Sequence, residues 1–142
     1  MHSTARVGTH PIHPMLIPFP FALWLASFAA DLYAAVRDQF HYFGYYLAWA
    51  GCIMAVVAAI PGAIDLFTAV PAGSAARRTG IRHALLNVSA LVLFAISIAV
   101  RPGPDYMNYA AYATAGLGTI LVLIAGWLGG SLVYDHKVGV PE

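Results

Sequence analysis

Four long apolar stretches, none holding more than an isolated charge, constrain this chain more than any other feature. They run over residues 15–36, 44–70, 83–100 and 110–134. A hydrocarbon core about 30 Å thick takes about 20 such residues per helix, because an α-helix rises about 1.5 Å per residue. No stretch alternates apolar and polar residues with a period of two, so a transmembrane barrel is excluded. Lipid offers the backbone no hydrogen-bond partners, and helices are the remaining way to satisfy it.

Composition agrees with that reading. Of the 142 residues, 61% are hydrophobic and 9% charged, and the mean hydropathy is +0.74. A soluble domain carries about 25% charged residues, so these are too few to clothe a surface in water, and the lipid bilayer is the expected surrounding. The formal net charge of +1 and the lack of a basic stripe leave no case for binding nucleic acid. The single cysteine, Cys52, lies in an apolar run. It excludes an intrachain disulfide and reads as a small buried hydrophobe. The opening MHSTARVGTHPIHP lacks the pattern of a secretory signal, so the first span is expected to stay in the protein.

The connections RDQFHYF, PAGSAARRTGIR and RPGPDYMNY hold the charges, prolines and glycines that stop helices. They are short enough to make consecutive helices antiparallel neighbours. The expected fold is therefore all-α: a single-domain integral membrane four-helix bundle running up-down-up-down. Small residues inside the spans, as in AGLGTI and AGWLGG, allow close helix contact. The two helical hairpins share a weak likeness, each ending its second helix near a Gly-containing segment and an Asp, and no internal repeat is read from it.

Orientation follows from the basic residues. Arg6, Arg77, Arg78, Arg82 and Lys137 fall on the side of both termini, against Arg37 and Arg101 on the other. The positive-inside bias then predicts cytoplasmic termini.

Few ionisable groups lie at membrane depth, and the topology gathers most of them at one end. His10 and His13 precede the first span, His83 opens the third, His136 closes the fourth, and Asp65 lies just inside the end of the second. All belong to the end that carries the termini, whereas His2 and His41 fall outside the set. Histidines at headgroup depth are ordinary, since the ring is amphipathic. A carboxylate within a span is less ordinary: it costs on the order of 2.5–3.5 kcal/mol on insertion scales and needs a partner. Asp65 is thus expected to face the bundle near His83, or else to cap a neighbouring helix or pair with Arg82 or Arg78. Asp31 is expected to find Tyr33 or groups of the outer connection, and Asn87 reads as interhelical glue. In HPIHPMLIPFP the prolines keep His10 and His13 from being neighbours on a regular helix, and Pro14 in a first turn would leave His13 near the N-cap.

The segments HPIHPMLIPFPFALW, PGAIDLFTAVP, RHALLN and GGSLVYDHKVGV together resemble DUF2231, a family of small bacterial membrane proteins of unassigned function. The resemblance extends over nearly the whole chain. It implies the four-helix membrane fold and a bacterial inner membrane. Relatives joined to Rieske iron–sulfur domains point indirectly to electron transfer.

Imidazoles from different helices are the usual axial ligands of membrane haem, and a His/carboxylate cluster also suits Fe, Cu or Zn. The leading expectation is a haem b or transition metal ion held by His13, His83 and His136. His10 would be a further metal ligand, with Asp65 as ligand or hydrogen-bond acceptor behind them. Such a centre would pass electrons within a membrane complex, next to a partner subunit or a second copy of the chain. The alternative is a structural or assembly subunit in which the same residues form a hydrogen-bonded network. A transporter or proton path through Asp65 is the third reading, and Asp31 is its only continuation on the outer half. No nucleophile–base pair, phosphate-binding loop or paired carboxylates support hydrolytic chemistry, so a stand-alone enzyme is not expected.

Orientation is testable without a structure. A cysteine placed in the PAGSAARRTGIR connection should escape a membrane-impermeant thiol reagent in intact cells. Labelling from outside would reverse the topology.

Overall fold

The computed structural model describes residues 1–106 and 108–140. Among these, four helical segments are long and apolar enough to cross a membrane: Ile12–Arg37, His41–Thr68, Ala75–Ala99 and Tyr109–Tyr134. The first is built from a short α1 (Ile12–Leu16) and a long α2 (Pro18–Arg37). Pro18 opens α2, where its missing N–H costs nothing. The others are α3 (His41–Thr68), α4 (Ala75–Ala99) and α5 (Tyr109–Tyr134). Ahead of α1 a two-stranded hairpin pairs β1 (Arg6–Val7) with β2 (His10–Pro11). Gly8 takes φ +59° at the first turn position, which a tight hairpin of this kind reserves for glycine.

Helix α4 begins about two turns before the apolar stretch that opens at His83. The Ser74 hydroxyl caps it, accepting from the Arg77 amide at 3.0 Å. The Arg77 guanidinium then reaches back to the end of α3, donating to the carbonyls of Leu66 and Val70 and lying 4.7 Å over the Phe67 ring. The arginines of the connection are thus helical, and one of them satisfies carbonyls that the end of α3 leaves open. His83 lies inside a helix rather than at its start.

Helices α2 and α3 pack along their length, as do α4 and α5, and α3 against α4 and α2 against α5 close the ring. The core is made of Trp24, Phe94 and small residues such as Ala48, Ala90 and Ala115. The Trp24 and Phe94 rings stack in parallel at 4.9 Å. Large apolar side chains such as Trp127, Ile60 and Leu117 point outward, as a lipid-facing surface requires.

The two hairpins repeat one another. His13, Trp24, Ser27 and Asp31 match His83, Phe94, Ser97 and Arg101 at one constant offset, and Gly44, Gly51, Ala58 and Gly62 match Ala111, Gly118, Ala125 and Gly129 at another. Contacts follow the same correspondence. Ser27 donates to the Gly44 carbonyl at 2.7 Å and Ser97 to the Ala111 carbonyl at 2.9 Å. A side chain added at Gly51 would strike Trp24, and one at Gly118 would strike Phe94. Three matched pairs also touch each other: His13 with His83, Trp24 with Phe94 and Asp31 with Arg101. Both hairpins run in the same direction, so these pairs mark a two-fold pseudo-axis along the bundle. The repeat that sequence likeness left unread is therefore a structural one.

Asp31 meets Arg101 at the end of the bundle away from the termini. The guanidinium donates to both carboxylate oxygens, at 2.7 and 3.1 Å, and to the carbonyl and hydroxyl of Ser97. The two residues are 1% and 5% exposed, so both charges are withdrawn from solvent. Gly44 is required beside them, because any Cβ there would collide with the Asp31 carboxylate. Removing one partner of such a pair leaves a buried charge uncompensated and costs about 3–5 kcal/mol, whereas apolar replacement of both can be neutral. Arg101→Leu should therefore unfold far more readily in detergent than Asp31→Leu/Arg101→Leu. Equal stability of the two variants would show that the pair does not hold the hairpins together.

Candidate functional site

His13 in α1 and His83 in α4 approach each other across the pseudo-axis, with ring centroids 6.3 Å apart and planes at 88°. Each ring is anchored to the second helix of its own hairpin in the same way. His13 Nδ1 lies 2.8 Å from the Ala58 carbonyl, and His83 Nδ1 lies 2.8 Å from the Ala125 carbonyl. A carbonyl oxygen only accepts, so Nδ1 must donate in both cases. Both neutral rings are thereby fixed as the Nδ1–H tautomer, and both Nε2 atoms carry lone pairs.

Glycine one turn beyond each carbonyl lets the ring lie this close. A Cβ at Gly62 would come within 2.6 Å of His13 Cε1, and one at Gly129 within 3.1 Å of His83 Cε1. Gly62→Ala must therefore displace the His13 ring, while Gly129→Ala asks only a small adjustment. Asn87, one turn after His83, donates through Nδ2 to the His83 carbonyl at 2.9 Å and stands 3.2 Å from His83 Nε2. Its bonds are within one helix, not the interhelical contacts expected of it.

The other residues of the expected cluster lie in different surroundings. Asp65 is half-buried in α3, and its carboxylate accepts from the Ser3 hydroxyl at 2.7 Å and from the amides of Thr4 and Ala5 at 2.8 and 2.9 Å. Its partners are the N-terminal segment rather than His83, Arg78 or Arg82. His136 Nε2 lies 3.2 Å from the Thr79 hydroxyl. His10 sits in β2 with an exposed side chain. Among the described residues no group of three or more His, Cys, Asp or Glu is disposed to hold one ion. What converges is a pair, His13 and His83.

At this end of the bundle the two ends of the chain knit a cover. The Met1 amine donates to the Lys137 carbonyl at 3.2 Å, the Gly139 amide to the Met1 carbonyl at 2.8 Å, and the Ile12 amide to the Ala5 carbonyl at 2.9 Å. Asp65 of α3 ties the N-terminal part of this cover to the spans, and His136 meets Thr79 of α4 at the C-terminal part.

Residues 9–142 match a family described as predicted membrane protein (DUF2231). The chain belongs to that family. No curated protein and no solved structure matches it. For this DUF2231 protein the fold therefore rests on its own four helices, and function must be argued from the His pair. Sequence reasoning missed the roles of Ala58, Ala125, Ser3 and Asn87. The first two are backbone roles with no side-chain signature, although the matched spacings of His13, Ala58, Gly62 and His83, Ala125, Gly129 carry a trace of them.

Asp65→Ala removes three acceptor contacts from the N-terminal segment and none from between the spans. Amide exchange at Thr4 and Ala5 should quicken by roughly tenfold or more, with the protection of α3 and α4 unchanged. Unaltered exchange at Thr4 and Ala5 would mean that the carboxylate is not what holds the cover down.

Proposed function

We propose that this protein holds one transition-metal centre, a haem b iron or a bare ion, between His13 and His83 and passes electrons within a membrane complex. One observation carries the reading: two imidazoles on the pseudo-axis, each set by a backbone carbonyl in the tautomer that leaves Nε2 able to ligate. A ligating histidine almost always gives its other ring N–H to a carbonyl or carboxylate, which fixes its orientation and raises its basicity. The spacing suits the same chemistry. The ring centroids are 6.3 Å apart, a span that one ion bound at about 2.0–2.1 Å from each ring nitrogen could bridge once both Nε2 atoms turn toward it.

Gly62 and Gly129 supply room beside the rings, and the cover of terminal segments tied to Asp65 would shield the centre from water. His136 and His10 are peripheral in this reading, and Asp65 supports the centre without ligating it. The site would sit at the cytoplasmic end of a bacterial inner-membrane protein, in line with the basic-residue bias. A bound centre would supply one-electron chemistry, and a partner subunit or a second copy of the chain would supply or remove the electron.

The competing reading is an assembly subunit in which the two His–carbonyl bonds staple α1 to α3 and α4 to α5. It is favoured by the fact that both Nδ1 atoms are engaged between helices. Metal analysis and an absorption spectrum of purified protein separate the two. Haem or stoichiometric metal, lost in His13→Ala, weakened or changed in spectrum in His83→Ala, and kept in His2→Ala and His41→Ala, is the expected result. Protein that contains neither, and takes up neither hemin nor Zn²⁺ on reconstitution, is a structural subunit.

A further inference from the structure

The two-fold likeness of the His pair is broken at one position. The residue one turn after His13 is Ile17, and its match after His83 is Asn87. Every other element of the two anchors is alike: ring, carbonyl and glycine. The amide makes the difference, because it lies 3.2 Å from His83 Nε2, whereas among the described residues nothing hydrogen-bonds to His13 Nε2.

The orientation of the amide follows from its second contact. Asn87 Nδ2 donates one hydrogen to the His83 carbonyl at 2.9 Å; the reverse orientation would set two oxygens against each other. Its other hydrogen points to His83 Nε2, which can only accept, because the proton of that ring is on Nδ1 and engaged with Ala125. The Nε2 lone pair of His83 is thus occupied by an N–H donor that its own helix holds in place.

We propose that Asn87 is a competing donor for the ligand atom of His83. Metal binding then proceeds unequally, with His13 as the standing ligand and His83 as the exchangeable one. This rests on the bis-imidazole reading above. A lone pair cannot accept a hydrogen bond and ligate a metal at once. When His83 ligates, the Nε2···H–N contact breaks and the metal–Nε2 bond forms. The ring proton stays on Nδ1, and the amide keeps its bond to the His83 carbonyl, so neither proton nor electron is transferred. When His83 lets go, the amide recaptures Nε2 and one coordination position of the metal opens. The site is thereby built to alternate between a two-histidine centre and a one-histidine centre that can accept a small ligand or a new donor.

The test compares wild type, Asn87→Ile and Asn87→Leu, titrated in detergent with hemin, followed by its absorption, and separately with Zn²⁺. Ile stands at the matched position 17 and Leu has nearly the shape of Asn, and the lost bonds are within one helix, so the fold should tolerate both. Losing one competing hydrogen bond should tighten binding of whichever probe wild type takes by roughly two- to tenfold. In wild type, saturation with that probe should also move the Asn87 side-chain amide resonances. Equal or weaker binding in both variants, with wild type binding well, overturns the competing role and leaves the His pair standing. Silence of the Asn87 amide on saturation does the same. Failure of all three proteins to bind either probe overturns the His-pair reading and this inference together.

Discussion

Lipid offers no hydrogen bonds, so a polar atom carried into the spans is costly unless another atom of the chain meets it, and among the described residues of the spans Trp24 Nε1 is a buried donor left without a partner. The two hairpins meet this constraint in the same way. Serine at matched positions of α2 and α4 returns its proton to a carbonyl at the start of the next helix, and histidine at matched positions returns its Nδ1 proton to a carbonyl in the second half of that helix. Each hairpin is thereby pinned at two levels by one side-chain bond each, with glycine between them letting an aromatic ring lie against the backbone. Packing of small residues does the rest, since apolar surface gains little by leaving lipid for protein.

A structure made of two like halves has a problem that identical halves could not solve. On the pseudo-axis, equivalent residues meet one another, so two carboxylates would repel there, and so would two guanidinium groups. Asp31 and Arg101 break the symmetry at the place where charge is buried, turning a contact between equivalents into a bidentate pair. At the aromatic stack no such break is needed, because Trp24 and Phe94 lie flat on each other. At the histidines the rings are alike and their surroundings are not, Asn87 standing where the other hairpin has Ile17. The polarity of the bundle thus comes from a few substitutions on a symmetric frame.

Much of the frame was legible in the sequence, because length and hydropathy of a span follow directly from bilayer thickness. The helix starts were less so. Arg77 and Arg78 read as connection because charges do not belong in lipid, but Ser74 caps a helix that includes them and Arg77 serves the end of α3. Charge places a residue relative to the bilayer; it does not say where a helix begins. The grouping of His13 with His83 was legible from topology alone. The exclusion of Asp65 from their immediate contacts was not, since its partners are two backbone amides and a hydroxyl from Ser3, Thr4 and Ala5. Backbone donors have no sequence signature, and a carboxylate that binds them looks in sequence like one awaiting a cation or a metal.

The internal repeat went unread for a related reason. What the hairpins share is less a string of residues than a set of contacts, many of them to main-chain atoms or to the absence of a side chain. Ala58 and Ala125 act through their carbonyls, and Gly62 and Gly129 through the space they leave. Likeness of this kind survives extensive change in the lipid-facing residues, where one large apolar side chain serves as well as another. It follows that the positions carrying structural information here are the small and polar ones on the pseudo-axis. The strongly hydrophobic majority records little beyond the solvent in which the bundle lies.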